Sequence, residues 1–270
     1  MKDIYVRTLT GIVFLIVVIG SIILDPLAFL VVFSLFTFIG LKEFYQLTNP
    51  NSNKKPTAEY YIFGLLIYFI IGLSGLGYID IRNTAIIFVI FFIQIAIELF
   101  RKESPQWKNI AIILTGYIYV SLPFGLMNAL YYTGAIDQPR AGILIGVFVL
   151  IWTSDIFAYL IGSMFGKHKL FERISPKKTW EGTVGGLVFA IIAAYILSIF
   201  VNQLNLTQWM ILAVIMVISG TIGDLAESLL KRNAGIKDSG TIFPGHGGVL
   251  DRFDAVLFAI PMVFVFINLI

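Results

Sequence analysis

The sequence predicts an all-α, polytopic integral membrane protein with about nine transmembrane helices. Composition is the first reason: 58% of the 270 residues are hydrophobic and only 13% are charged. The mean hydropathy of +0.90 is that of a membrane protein, not of a globular core. The second reason is a series of apolar stretches, each close to the roughly 20 residues a membrane helix needs. The third is the lopsided placement of lysine and arginine along those stretches.

In lipid a backbone must satisfy its own hydrogen bonds, so each stretch is read as an α-helix. The first, 8–24, is longer than a usual signal-peptide core and lacks a convincing small-x-small cleavage site, so it reads as a retained helix. The second, 27–47, is followed by the polar linker 48–59 with its run Asn49-Pro50-Asn51-Ser52-Asn53-Lys54-Lys55-Pro56. The third and fourth are 60–79 and 84–100, and the fifth is 108–132. Glu43 and Glu98, at the ends of the second and fourth, read as interfacial because Lys42 and Arg101 lie beside them. Residues 1–140 form N-terminal transmembrane helices that carry no catalytic signature. Residues 141–270 form the catalytic transmembrane region, with helices at 141–165, 183–201, 209–230 and 249–270 and polar loops at 166–182 and 231–248. No repeat, low-complexity tract or soluble domain is visible.

Nine helices would put the termini on opposite sides of the membrane. With the N-terminus in the cytoplasm, the other side holds only Arg82 and Arg140, leaving 17 of the 19 basic residues inside. Both polar loops then face the cytoplasm, where nucleotides are. The net charge of +3 does not suggest nucleic acid. The absence of cysteine excludes disulfides, zinc–thiolate sites and thiol nucleophiles.

Chemistry concentrates in a polar run, 228–254, caught between two apolar segments. It holds Lys231, Arg232, Lys237, Asp238, Asp251, Arg252 and Asp254, with His246 inside Gly245-His246-Gly247-Gly248. Carboxylates bind hard divalent cations, lysine and arginine bind phosphate, and glycine lets a backbone approach a ligand. Together, beside lipid, they suggest phosphate chemistry at a membrane surface. Just upstream, Asp224, Glu227, Ser228 and Lys231 share one helix face. A solvated helix end with a Glu227–Lys231 pair would explain part of that face. A carboxylate at the edge of an apolar helix is costly, however, and marks function by default. Asp251 and Asp254 are three residues apart at the start of the last helix. Compensation of the helix dipole accounts for one acid there more readily than for two.

The run resembles the signature of the phosphatidate cytidylyltransferase (CDP-diacylglycerol synthase) family. Ser228, Lys231, Arg232, Lys237, Asp238, His246, Gly247, Gly248, Asp251, Arg252 and Asp254 all stand at the family's spacing. Leu230, Gly240, Phe243, Pro244, Val249 and Phe253 agree in class. The loop segment Ser175-Pro176-Lys177-Lys178-Thr179-Trp180-Glu181-Gly182 is similar to a second block of that family, and Asp155, Tyr159 and Gly162 to a third.

The resemblance implies the reaction of CTP with phosphatidate to give CDP-diacylglycerol and pyrophosphate. It implies a Mg²⁺ site at Asp224, Asp251 and Asp254, and CTP contacts from Ser175, Lys177, Lys178 and Thr179. Lys231, Arg232 and Lys237 are the expected phosphate-holding catalytic residues. Asp155, Ser228, Asp238, Gly247 and Gly248 join the substrate site. Arg252 either contacts phosphate or pairs with an acid. His246 reads as a phosphate or loop hydrogen-bond partner rather than a general base, because a phosphate monoester is already anionic. A helix–helix hydrogen bond is the structural alternative for Asp155, topology signalling for the loop lysines, and a simple tight turn for the glycines. The resemblance also implies a homodimer in a bacterial inner membrane. A CTP-dependent lipid or polyprenol kinase is the nearest alternative, and an ion-coupled transporter one from another class.

Overall fold

The computed structural model describes residues 2–48, 56–101, 107–131 and 141–270. Lys54, Lys55, Lys102 and Arg140, which enter the charge count, lie outside the described residues. Every apolar stretch is helical. In order, the helices are α1 (Lys2–Leu24), α2 (Pro26–Thr48), α3 (Ala58–Gly75), α4 (Ile86–Leu99), α5 (Trp107–Gly116), α6 (Leu122–Ala129), α7 (Ala141–Phe165), α8 (Trp180–Phe200), α9 (Leu206–Asn233) and α10 (Leu250–Leu269). A 3₁₀ turn, Ile81–Ala85, leads into α4, and its cap is Asp80, which accepts from Arg82 N. A π-helical turn, Tyr117–Ser121, joins α5 to α6, so the expected fifth span is one interrupted segment, Trp107–Ala129.

Among the described residues, eight helices are long and apolar enough to cross a membrane. The ninth expected span is α10, 20 residues long, whose first turns hold Asp251, Arg252 and Asp254 ahead of its apolar remainder. The protein is therefore an all-α polytopic membrane protein with one addition that the sequence did not predict. Within the 166–182 loop, β1 (Lys169–Phe171) pairs antiparallel with β2 (Ser175–Thr179). Lysine and proline are poor strand formers, and this hairpin is held by its ends. Trp180 N donates to His168 O at 2.9 Å, and His168 Nδ1 lies 2.6 Å from Glu181 Oε1.

The chain divides into two compact units. The first is Met1–Tyr132 with Asp238–Asp251; the second is Thr133–Lys237 with Arg252–Ile270. The first break falls near the expected boundary at 140, but the glycine-rich part of the polar run belongs with the N-terminal helices. In the first unit, Phe29, Phe33 and Phe124 are fully buried and in ring contact. Tyr68 donates to the Leu30 carbonyl at 2.7 Å, and Asn128 donates to Tyr68 at 3.0 Å, which satisfies polar atoms that lipid could not.

In the second unit, α8 packs along α7 and α9. Thr179 caps α8 by accepting from Gly182 N at 3.1 Å. Asn205 and Gln208 form a reciprocal capping box at the start of α9. The close approach of α9 to α10 depends on Gly223. A Cβ there would lie 2.5 Å from Asp254 O and 2.6 Å from Phe258 Cβ.

Candidate active site

Gly223 immediately precedes Asp224, so the glycine that brings α9 against α10 also brings Asp224 toward Asp254. The charges of Asp224, Asp155 and Lys231 all act on Asp254. Those of Asp224, Lys178 and Arg252 act on Asp155. Lys178, from β2, reaches Asp224 directly: Nζ lies 2.6 Å from Oδ2, with the two side chains 25% and 34% exposed. Ser228, one turn on, donates to Asp224 Oδ1 at 3.3 Å. The second unit thus gathers Asp155, Lys178, Asp224, Ser228, Lys231, Arg252 and Asp254, supplied by α7, β2, α9 and α10. All three sequence blocks singled out by resemblance contribute to it.

Lys231 forms an ion pair with Glu227, which is fully buried. The Glu227–Lys231 pair expected from their spacing is present, and it ties Lys231 back to α9. Arg252 is half-buried, and its Nε has no hydrogen-bond partner among the described residues. Such an orphaned, buried cationic donor is what an anionic ligand satisfies. Arg232, Lys237 and Lys177 are exposed, while Ser175 is partly covered at the start of β2. Thr179 is only 4% exposed, with its side-chain oxygen accepting from the α8 backbone. Phe157, on the side of α7 away from Asp155, stacks on Phe189 with centroids 3.6 Å apart.

The first unit holds the glycine turn. Phe243 N donates to Gly247 O at 3.0 Å, and His246 N donates to Phe243 O at 2.8 Å. Gly245 and Gly247 have φ of 76° and 83°, so the turn requires glycine at both positions. His246 faces α1, where a Cβ on Gly11 would meet its ring at 3.7 Å. Phe243 packs edge-on against Phe14 at 5.4 Å. Asp238 is exposed, and Gly248 is buried. Asp251 faces back into this turn: its Oδ2 accepts from Ser239 N at 2.7 Å, Ser239 Oγ at 2.8 Å and Gly248 N at 2.8 Å.

Two carboxylates expected at the membrane interface are instead bonded inside the protein. Glu43, expected at the interface, is only 4% exposed, and it accepts from Ser239, Val249 and Leu250. Glu98 is also buried, at 3% exposure; it accepts from Tyr60 at 2.9 Å and forms an ion pair with Arg101, whose Nε lies 2.8 Å from Oε1. The correction has a simple cause. A carboxylate in an apolar helix either reaches the interface or finds donors inside the protein, and a neighbouring lysine or arginine in sequence does not decide which. Arg7, on α1, also belongs beside the glycine turn. Its side chain lies along the glycine turn, where a Cβ on Gly245 would come within 2.6 Å of Arg7 Cγ.

Carboxylate oxygens crowded together and only partly neutralised suit a hard divalent cation. Among the described residues, no group of three or more His, Cys, Asp or Glu forms a metal cage. The three acids expected to form one, Asp224, Asp251 and Asp254, are not gathered as such a group, because Asp251 turns to Ser239 and Gly248.

Comparison with known proteins agrees with these blocks. A profile described as the Cytidylyltransferase family matches residues 5–270. The chain is 36% identical over 262 residues to the phosphatidate cytidylyltransferase of Staphylococcus saprophyticus, covering 96% of each chain. It is 34% identical over 262 residues to that of Staphylococcus aureus, again covering 96% of both. It is 33% identical over 261 residues to that of Staphylococcus epidermidis, with the same coverage. The match is not confined to the polar run but extends through nearly every helix, and on that ground the chain belongs to the cytidylyltransferase family.

Proposed function

We propose that this protein transfers the cytidylyl group of CTP to phosphatidate, forming CDP-diacylglycerol and releasing pyrophosphate. A phosphatidate oxygen attacks the α-phosphorus of CTP, a P–O bond forms, and the bond to the β-phosphate breaks with its electrons leaving on pyrophosphate. The nucleophile needs no strong base, since a phosphate monoester has a second pKa near 6. The barrier is mainly the approach of two anions, and the charges of the second unit address it. The observation that carries this reading is the Lys178–Asp224 pair at 2.6 Å. It joins the 175–182 block to the helix face of α9 that leads into the signature, two stretches far apart in sequence.

Lys177, Lys178 and Ser175 are assigned to CTP, with Thr179 fixing the strand-to-helix junction that presents them. Lys231, Arg232, Lys237 and Arg252 hold phosphate oxygens. Asp224 and Asp254 would hold a divalent cation, which when bound offsets phosphate charge. Asp251 is assigned to the glycine turn rather than to this cation, because its Oδ2 already accepts from Ser239 and Gly248. Asp155 borders the same cluster. His246 contributes hydrogen bonding, not proton abstraction. The lipid remains in the bilayer with its headgroup at the cytoplasmic interface, an orientation supported by the 17 of 19 basic residues counted inside. Reporter fusions at Lys54, Lys102 and Lys177 should read cytoplasm and one at Gln138 the opposite side; a cytoplasmic Gln138 overturns the orientation. We extend the homodimer expectation to this chain as well, to be checked by mass in detergent solution.

The deciding experiment supplies purified protein with Mg²⁺, phosphatidate and CTP labelled at either the α or the γ phosphate. The proposal predicts α label in a lipid-soluble product and γ label in pyrophosphate. Transfer of γ label to lipid would instead make the protein a kinase.

A further inference from the structure

We infer that Glu43, on α2, is a positioning residue for this reaction. It acts by holding the turn from Ser239 to Leu250 in one conformation. The inference rests on the proposed cytidylyl transfer and gives the N-terminal helices a part in it. Glu43 lies about two hundred residues from the turn in sequence, yet it is buried to 4% exposure. Its Oε1 accepts from Val249 N at 3.0 Å, and its Oε2 accepts from Leu250 N at 2.9 Å and Ser239 Oγ at 3.1 Å.

The pattern of donors is what makes this more than a packing contact. The first amides of a helix have no partner within it. Here the amide of Gly248 goes to Asp251, and the next two, Val249 and Leu250, go to Glu43. A run of successive amides at the head of α10 is thereby closed by two carboxylates, one from α10 itself and one from α2. A built-in anion occupies the place where a helix head would otherwise attract a phosphate. Substrate phosphates are thus excluded from this helix head.

Ser239 links the two carboxylates. Its hydroxyl lies 2.8 Å from Asp251 Oδ2 and 3.1 Å from Glu43 Oε2, and it accepts from Asp251 N at 3.3 Å. One hydroxyl proton serves one carboxylate at a time, so Glu43 and Asp251 compete for Ser239 and fix its place between them. Space is equally constrained. A Cβ on Gly240 would lie 2.9 Å from the Glu43 carboxyl carbon and 3.2 Å from Gly248 Cα. Glu43 therefore sets the path of the turn on both sides of Phe243 and, through Ser239, the orientation of Asp251.

Glu43→Gln tests this. It preserves size but turns an amide NH₂ toward a backbone N–H, leaving buried donors unmatched. The expected result is a fall in kcat of about tenfold or more, with KM for CTP and for phosphatidate changed less than about threefold. Hydrogen exchange should accelerate in peptides covering 239–250 but not in peptides from α8 or α9. Adding Ser239→Ala to Glu43→Gln should cost little beyond the larger single loss, because both act through one network.

If Glu43→Gln does not accumulate as folded protein, Ser239→Ala decides alone. It should lower kcat and speed exchange over 239–250, and wild-type behaviour in both would overturn the inference. Wild-type kcat in Glu43→Gln would overturn it, as would a loss of activity with unchanged exchange over 239–250. A wild-type protein that forms no lipid-linked cytidine would sink the activity reading instead, which separates the two failures.

Discussion

Asp251, in the signature run, and Asp224, just upstream of it, are both carboxylates, yet their surroundings differ in kind. Asp251 sits in a turn whose polar atoms bond one another: Ser239, Gly248 and Glu43 leave that network closed. Asp224 sits in a cluster that is only partly neutralised. One lysine meets it, two further aspartates lie within its field, and an arginine nitrogen nearby has no hydrogen-bond partner among the described residues. A closed network is stiff and gains little from a ligand. An open one, half-exposed, gains a great deal from a polyanion that brings its own cation. The contrast assigns shape to the glycine turn and chemistry to the charged cluster, although the signature run contributes to both.

The largest effect should come from the open cluster. Asp254→Asn or Asp224→Asn should lower the rate about 10²-fold, the scale lost with one preorganised electrostatic group. Near-normal rates and unaltered Mg²⁺ dependence in both would remove those acids from the site. Next is Lys178→Ala, expected to raise the apparent KM for CTP about tenfold and that for phosphatidate much less. The reverse order would move the 175–182 hairpin to the lipid site.

Gly223→Ala separates architecture from charge. It adds one methyl where α9 meets α10, and overpacking of this kind costs about 1–3 kcal/mol. Thermal unfolding in detergent should show the loss, and an unchanged midpoint would mean the helices yield there. Smallest of all should be His246→Gln, which keeps a hydrogen-bonding side chain and should stay within about fivefold of wild type, with Lys231→Ala losing more because it leaves phosphate charge uncompensated. If His246→Gln is inactive with CTP binding intact while Lys231→Ala works, proton transfer governs the reaction.

The membrane helices were legible because lipid imposes one length and one hydrogen-bonding solution on every span. The expected 141–165 coincides with Ala141–Phe165, and most other ends move by only a few residues. What stayed hidden depended on contacts distant in sequence. The hairpin at Ser175–Thr179 is made by its anchors, His168 and Glu181, more than by its own strand propensity. The cluster residues Asp155, Lys178 and Asp224 were each singled out, but that they share one electrostatic field appears only when α7, β2 and α9 are placed together. Glu43 was invisible as a site residue because all its donors at the turn come from the other end of the chain. Its one local cue was a carboxylate inside an apolar helix, and the adjacent Lys42 obscured it.

Direct binding of labelled CTP to the purified protein, compared between Lys178→Ala and Glu43→Gln, tests the division between chemistry and shape most directly. The account predicts that Lys178→Ala weakens CTP binding about tenfold, whereas Glu43→Gln binds CTP as wild type does and fails only in turnover. CTP binding that survives Lys178→Ala but is lost in Glu43→Gln would contradict it, and would place the nucleotide at the glycine turn.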